Sequence, residues 1–412
     1  MKQSSLSKHK IVNDPIYGFI NIPSGIIHDL IEHPYFQRLR RIRQLGMTNY
    51  VYPAANHTRF QHALGAMHLM DTAIDVLISK GHTITPQEAE AAKIAILLHD
   101  IGHGPFSHAL ENTLIEGLNH EVLSAMIMDQ LNQVFEGKIE TAIAIFKNRY
   151  PKCFLHQLVS SQLDMDRLDY LNRDSFFTGV NEGVIGSDRI IKMLNVVNDE
   201  LVVEAKGIYS IEKYLIARRL MYWQVYLHKT VLAAETLLIN ILRRAREVAL
   251  QGTSLFATPA LHYFLYHTPG GKEKNQKEIL AHFLQLDDSD ITVSVKAWTT
   301  HSDRILSDLC NRLIHRRLYK IVLQHQPFPS DYIEDLKQKA KQHFRLSDDE
   351  MPYYVFSGSI SNHAYSPQYE KIEILYNNGT LCDVAEASDM LNLQVLSKVV
   401  EKHFICYPKE LA

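Results

Sequence analysis

TPQEAEAAKIAILLHDIGHGPFSH, residues 85–108, reads as a helix that ends in chemistry. Thr85 suits an N-cap, Pro86 the first helical position, and Glu88 completes a capping box. The apolar run that follows carries the helix to His99 and Asp100, where Gly102, Gly104 and Pro105 stop it. Adjacent residues in mid-helix point about 100° apart and do not share a target. At a frayed helix end that restriction relaxes, so His99 and Asp100 can reach one ion. His103 and His108 follow at once across the Gly-Pro break. Each histidine alone reads as a cap or surface residue. Together, at the end of an apolar helix, they form a set that needs partners or a cation to offset desolvation.

Upstream, the spacing predicts a helix from Phe60 to Leu77 carrying His62. It predicts another over residues 25–45, with Ile27, Leu30, Ile31, Leu39, Ile42 and Leu45 on its apolar face, preceded by a hairpin at 10–22. Downstream, residues 155–173 read as a helix bearing Asp164, Asp166 and Asp169, which either face a cation or form a solvated acidic face. Two short strands about Asn198-Asp199, a long helix over 209–249 and a loop at 267–276 follow. DITVSVKAW (290–298) reads as a strand, 303–324 as a helix, and the flanks of Asn377-Asn378-Gly379 as a strand pair. The expected fold is mostly α: a helical core with small β hairpins over 1–255, and a mixed α+β accessory or oligomerisation region over 256–412.

With 46% hydrophobic and 22% charged residues the composition is globular, and a net charge of −3 gives no footprint for nucleic acid or anionic membrane. No apolar run approaches the roughly 20 residues of a membrane span. The N-terminus lacks a signal-peptide core, and the four cysteines are scattered, so a reduced cytoplasmic protein is expected. Of 22 histidines, eight lie between His57 and His120, which points to metal or acid–base chemistry.

RFQH (59–62), HDIGHGPFSH, NHE (119–121) and DMDRLDYLNRD (164–174) resemble, in order and spacing, the HD-domain superfamily. More narrowly they resemble its deoxynucleoside triphosphate triphosphohydrolase branch, which includes the human sterile-alpha-motif and HD-domain dNTPase. The similarity runs from about Lys10 to about Lys320. It implies His62, His99, Asp100 and Asp166 as ligands of one divalent ion (Fe, Mn, Zn, Ni or Mg), with Mg on the triphosphate. It assigns leaving-group protonation to His108 supported by Glu111, and phosphate stabilisation to His103 and His120. Arg59, Arg167 and Arg218 would hold the triphosphate, a task suited to guanidinium forks. Gln44, Tyr170 and Asp174 would meet the 3′ hydroxyl, and Leu45 and Tyr226 would crowd the 2′ position. For Arg218 and Tyr226, packing within RRLMYWQVYLHK is the rival reading. Against the human motif, Arg167 replaces Lys, Glu111 replaces Asp and Tyr222 replaces His.

The resemblance also implies a nucleotide activator site at Lys10, Asn13, Gln37, Arg40, Arg316 and Lys320, in a homo-oligomer (dimer or tetramer). For RLRRIR (38–43) a solvated helix face is the plainer reading. The function expected is metal-dependent hydrolysis of a dNTP to deoxynucleoside and inorganic triphosphate. The alternatives are an HD phosphohydrolase or phosphodiesterase acting on another nucleotide or phosphoester, and a non-catalytic nucleotide sensor.

Overall fold

The structure, a computed structural model, describes residues 10–107, 119–267, 276–362, 365, 371–389 and 399–412. It opens on an antiparallel hairpin, β1 (Lys10–Asp14) and β2 (Gly18–Ile22), followed by α1 (Ile26–Glu32) and α2 (Pro34–Gln37). The helix expected over 25–45 is thus broken. His33, extended at ψ 138° before Pro34, ends one segment and caps the next. Then come α3 (Arg59–Ser79), α4 (Pro86–Leu98), α5 (His120–Val134), α6 (Glu140–Phe146), α7 (Cys153–Val159) and α8 (Met165–Thr178). The capping box of α4 closes as expected: the Glu88 N–H donates to Thr85 Oγ1 at 3.2 Å, and the Thr85 N–H to Glu88 Oε2 at 2.8 Å.

The helix expected over 155–173 is two, because Asp164 accepts the Arg167 N–H at 2.7 Å and so starts α8 afresh. α9 (Ser187–Met193) leads into β3 (Leu194–Val197) and β4 (Glu200–Glu204), whose turn residues Asn198 and Asp199 both have positive φ. The long helix expected over 209–249 is divided into α10 (Ile208–Met221), a π-helical turn at Tyr222–Tyr226, and α11 (Lys229–Leu250), with a bend of 54°.

Beyond it lie α12 (Pro259–Tyr266), α13 (Gln276–Phe283), α14 (Asp288–Trp298) and α15 (Arg304–Ile314). Here β-propensity misled. DITVSVKAW is helical because Asp287 and Asp290 form a capping box and Ile291, Val295 and Trp298 bury one helical face. The helix expected to reach 324 stops at Ile314, and β5 (Lys320–Gln324) pairs antiparallel with a strand near the C-terminus. α16 (Ser330–Phe344), β6 (Phe356–Asn362), the hairpin β7 (Glu373–Leu375) and β8 (Leu381–Asp383) about Gly379, α17 (Val384–Ala387) and β9 (Val400–Tyr407) complete the chain. The sheets run β3-β4-β7-β8 and β5-β9-β6. The loop expected at 267–276 falls almost wholly outside the described residues. No single helix among the described residues is long and apolar enough to cross a membrane.

α3 is the axis of this arrangement. From Arg59 to Met67 only Gln61 escapes full burial, and the helix packs against both α4 and α8. Gly65 permits the approach to α8. A Cβ there would lie 2.0 Å from Asp169 Oδ1 and 2.2 Å from Arg173 Nη2. Gly65→Ala is therefore expected to destabilise the fold by about 1–3 kcal/mol, the scale of overpacking, despite the gain in helix propensity. Urea unfolding checks this, and an unchanged or raised midpoint would refute it.

Candidate active site

The packing of α3, α4 and α8 brings three sequence-distant segments to one point. His62 comes from the first turn of α3, His99 and Asp100 from the end of α4, and Asp166 from the first turn of α8. His62 Nε2 lies 3.0 Å and His99 Nε2 3.4 Å from Asp166 Oδ1. Asp100 contributes Oδ1 at 3.4 Å from His99 Nε2 and Oδ2 at 3.7 Å from His62 Nε2.

Tautomers decide what this means. His62 Nδ1 is 2.7 Å from Asp169 Oδ2, and His99 Nδ1 is 2.6 Å from the Ile96 carbonyl, so in both rings Nδ1 donates. Both Nε2 lone pairs then face the centre, buried and without a hydrogen-bond partner among the described residues. Lone pairs aimed at carboxylates are stable only around positive charge. The donor atoms of His62, His99 and Asp166 lie within 4.8 Å of one another. These residues fit a divalent metal ion, and two imidazoles with carboxylates do not choose between Fe, Mn, Zn, Ni and Mg.

Electrostatics agree. Burial pulls the His62 pKa down, but Asp166 and Asp169 outweigh it and lift it to about 10, so without a metal ion a proton takes the place on Nε2 that the cation would fill. Burial pushes Asp166 up, yet His99 and His62 hold it far below the usual carboxylate range. Asp100 is depressed likewise, its burial overcome by His99, Arg59 and His103. The carboxylates stay anionic and the centre favours a cation.

A buried relay holds His62 in place. Asp169 accepts from Arg173 Nε and Nη2, both at 2.9 Å, and Arg173 Nη1 donates to Asp14 Oδ2 at 2.8 Å. Asp169 and Arg173 are fully buried. Sequence reasoning took Asp169 for a cation-facing or solvated acid and passed over Arg173 and Asp14. The four-residue spacing of Asp169 and Arg173 was the available signal. Asp14 carries none, since β1 reaches α8 only through the tertiary fold.

A second group adjoins the first. Asp100 Oδ1 is 3.3 Å from His103 Nε2, and the His103 and His120 rings stack at 4.0 Å. Asp100, His103 and His120 present donor atoms close enough to hold an ion themselves. Gly102 makes this possible, because a Cβ there would lie 2.3 Å from the His120 carbonyl oxygen at the start of α5. Arg59 donates to Asp100 through Nη1 and to Ser107 Oγ through Nε at 3.1 Å. His108 and Glu111 lie outside the described residues.

One face of α8 continues the site from Asp166 through Arg167 and Tyr170 to Asp174. Arg167 Nε donates to the Ser161 carbonyl at 2.6 Å, Arg218 Nη1 donates to Gln162 Oε1 at 3.0 Å, and both charges act on Tyr170. Arg218 Nε is buried and has no hydrogen-bond partner among the described residues, which packing alone does not explain. Tyr226 OH donates to Asp174 Oδ2 at 2.8 Å, and its ring meets Tyr170 edge-on at 6.0 Å. Burial, then Asp174, keep the Tyr226 hydroxyl protonated. Gln44 is buried, its Oε1 without a hydrogen-bond partner among the described residues, and Leu45 is half-buried against the core.

The six residues of the expected activator site fall into separate groups. Lys10 pairs with Glu32 at 2.6 Å, Glu32 also feels Arg40, and Arg40 Nε donates to Gln37 Oε1 at 2.8 Å. Asn13 is exposed on β1 opposite Phe19. Arg316 instead donates to the Tyr50 carbonyl, and Lys320 lies 5.9 Å over the Tyr407 ring. No hydrogen bond or ion pair among the described residues joins the two groups.

Family models match the chain twice, the HD domain over residues 59–174 and the HD associated region over 185–259. An uncharacterized protein of Bacillus subtilis, YwfO, is 32% identical over 98% of this chain and 94% of its own length. The chain belongs to the HD-domain family. A crystal structure of a phosphohydrolase from Bacteroides thetaiotaomicron superposes on this HD protein with a TM-score of 0.94 and 54% identity, covering 97% of this chain and all of that one. The human deoxynucleoside triphosphate triphosphohydrolase SAMHD1 is 29% identical over 57% of this chain and 44% of its own length. Its homologue from Dictyostelium discoideum is 28% identical over 78% of this chain and 62% of its own. HD membership and the clustered His and Asp donors make the protein an HD-type phosphohydrolase that binds a divalent metal.

Proposed function

We propose that this HD phosphohydrolase cleaves deoxynucleoside triphosphates to deoxynucleoside and inorganic triphosphate. The observation that carries this reading is α8 itself, where Asp166, beside His62 and His99, is followed by Arg167, Tyr170 and Asp174, a run suited to metal, phosphate and sugar hydroxyl in turn. A monophosphate would need neither so many cations nor so long a face. The similarity to dNTP triphosphohydrolases over much of the chain supports the same substrate.

When bound, the ion held by His62, His99, Asp100 and Asp166 supplies Lewis-acid activation of water and phosphoryl group. Arg59, Arg167 and Arg218 neutralise the triphosphate, and His103 and His120 stabilise charge beside Asp100. His108, supported by Glu111, hands a proton to the departing 5′ oxygen. Gln44, Tyr170 and Asp174 receive the sugar hydroxyl, while Leu45 and Tyr226 close the 2′ side. Lys10, Asn13, Gln37 and Arg40 from one subunit, with Arg316 and Lys320 from another, form an activator site in a cytoplasmic homo-oligomer.

Incubation with each dNTP, alone and in pairs, with Mg²⁺ or Mn²⁺, tests the reading. Intact triphosphate and deoxynucleoside are the expected products, with stimulation by a second dNTP. Hydrolysis of monophosphates or cyclic nucleotides without triphosphate release would discard the substrate. Nucleotide binding without any turnover would favour a sensor.

A further inference from the structure

His57 has no role in the chemistry above, yet it contacts two of the groups placed at the sugar. Its side chain is fully buried, with Nε2 2.7 Å from Asp174 Oδ1. Its ring stacks on Phe177 at 4.5 Å between centroids and 14° between planes. Its carbonyl accepts the Gln44 N–H at 3.0 Å. Nδ1 is buried without a hydrogen-bond partner among the described residues.

These facts fix the proton. On Nδ1 it would be a buried unsatisfied donor, and the Nε2 lone pair would face a carboxylate at hydrogen-bond distance. On Nε2 it is donated to Asp174, and only a weakly demanding lone pair is left over. Asp174 therefore receives one donor on each oxygen, from His57 and from Tyr226 Oη. Each carboxylate oxygen has two lone pairs, so one remains on each for an incoming hydroxyl. Asp174 lies eight residues beyond Asp166, about 12 Å along α8 at 1.5 Å per residue. A group at Asp174 thus meets a part of the substrate remote from the metal.

We propose that His57 is a positioning residue for substrate sugar recognition: it clamps Asp174 through Nε2–H, and Gln44 through its carbonyl, so that both face the 3′ hydroxyl. This rests on the dNTP reading. A loop staple that merely joined residues 53–58 to α8 would predict a loss of stability with no change in what the site selects.

The test compares kcat/KM for a dNTP and for the matching 2′,3′-dideoxynucleotide in wild type, His57→Leu and His57→Gln. Gln carries an amide N–H near the position of Nε2, whereas Leu fills space without a donor. Wild type is expected to prefer the 3′-hydroxylated substrate, with His57→Gln retaining that preference and His57→Leu reducing it by roughly tenfold or more, the scale of one hydrogen bond to a charged group. If His57→Leu slows both substrates equally, or keeps the wild-type preference, the positioning role is wrong while the dNTP reading stands. If wild type itself hydrolyses neither, or both equally, the sugar reading fails and the role of His57 with it.

Discussion

Asp166→Ala yields a folded protein that no longer retains metal through gel filtration and whose phosphohydrolase rate falls by roughly a thousandfold or more, the cost of losing several kcal/mol of charge stabilisation. Geometry sets this expectation. Asp166 Oδ1 is a single oxygen close to both imidazole nitrogens, at 3.0 Å from His62 Nε2 and 3.4 Å from His99 Nε2. Removing it leaves His62 and His99 to share an ion with Asp100 alone. Asp100 is already drawn on by Arg59 and His103. The fold does not depend on Asp166 in the same way, because its side chain keeps 28% exposure and Asp164, not Asp166, caps α8. Elemental analysis of purified wild type and variant, with thermal melting of both in chelator, checks both halves. Full metal content in the variant would mean that the ion sits elsewhere.

The place of His99 and Asp100 at a helix end was legible in the sequence because chain geometry there is local, whereas His62 and Asp166 joined them only through the family resemblance. A capping box fixes where α4 starts, and glycines fix where it stops, so His99 and Asp100 had to stand at a helix end. What the sequence concealed depends on breaks whose cause is a single side chain. Asp164 was read as one more acid, yet by accepting the Arg167 N–H it starts α8 and so leaves Asp166 in the helix's first turn. The π-helical turn at Tyr222–Tyr226 was not read from the sequence, because apolar residues continue through RRLMYWQVYLHK and no proline or glycine marks the break. α14 was misread because Ile291, Thr292, Val293 and Val295 carry β-propensity, which caps and tertiary burial override. His57 carried no local signal at all. It counted as one of a cluster of histidines, and its partner lies 117 residues away.

The relay behind His62 gives the largest expected effect on stability. Arg173 is fully buried, and its charged partners among the described residues are Asp169 and Asp14. Burial disfavours the Arg173 cation, but the two carboxylates outweigh it and raise its pKa. Arg173→Met removes the cation and leaves both acids in place. Asp14 retains the N–H groups of Ile16 at 2.9 Å and Tyr17 at 3.1 Å, and Asp169 retains His62. Neither set replaces a guanidinium. Breaking one side of a buried pair costs about 3–5 kcal/mol, a large part of the roughly 5–15 kcal/mol that holds a domain together. The variant is therefore expected to melt far below wild type. Because Asp169 also orients the His62 ring, metal affinity should fall by about 10–100-fold in whatever protein remains folded. Arg173→Lys, which restores charge without the two-pronged fork, should recover part of the stability and less of the affinity. Chemical denaturation followed by metal titration separates the two effects. A variant with wild-type midpoint and wild-type affinity would show that Asp14, Asp169 and Arg173 neither hold the fold together nor hold His62 in register for the ion.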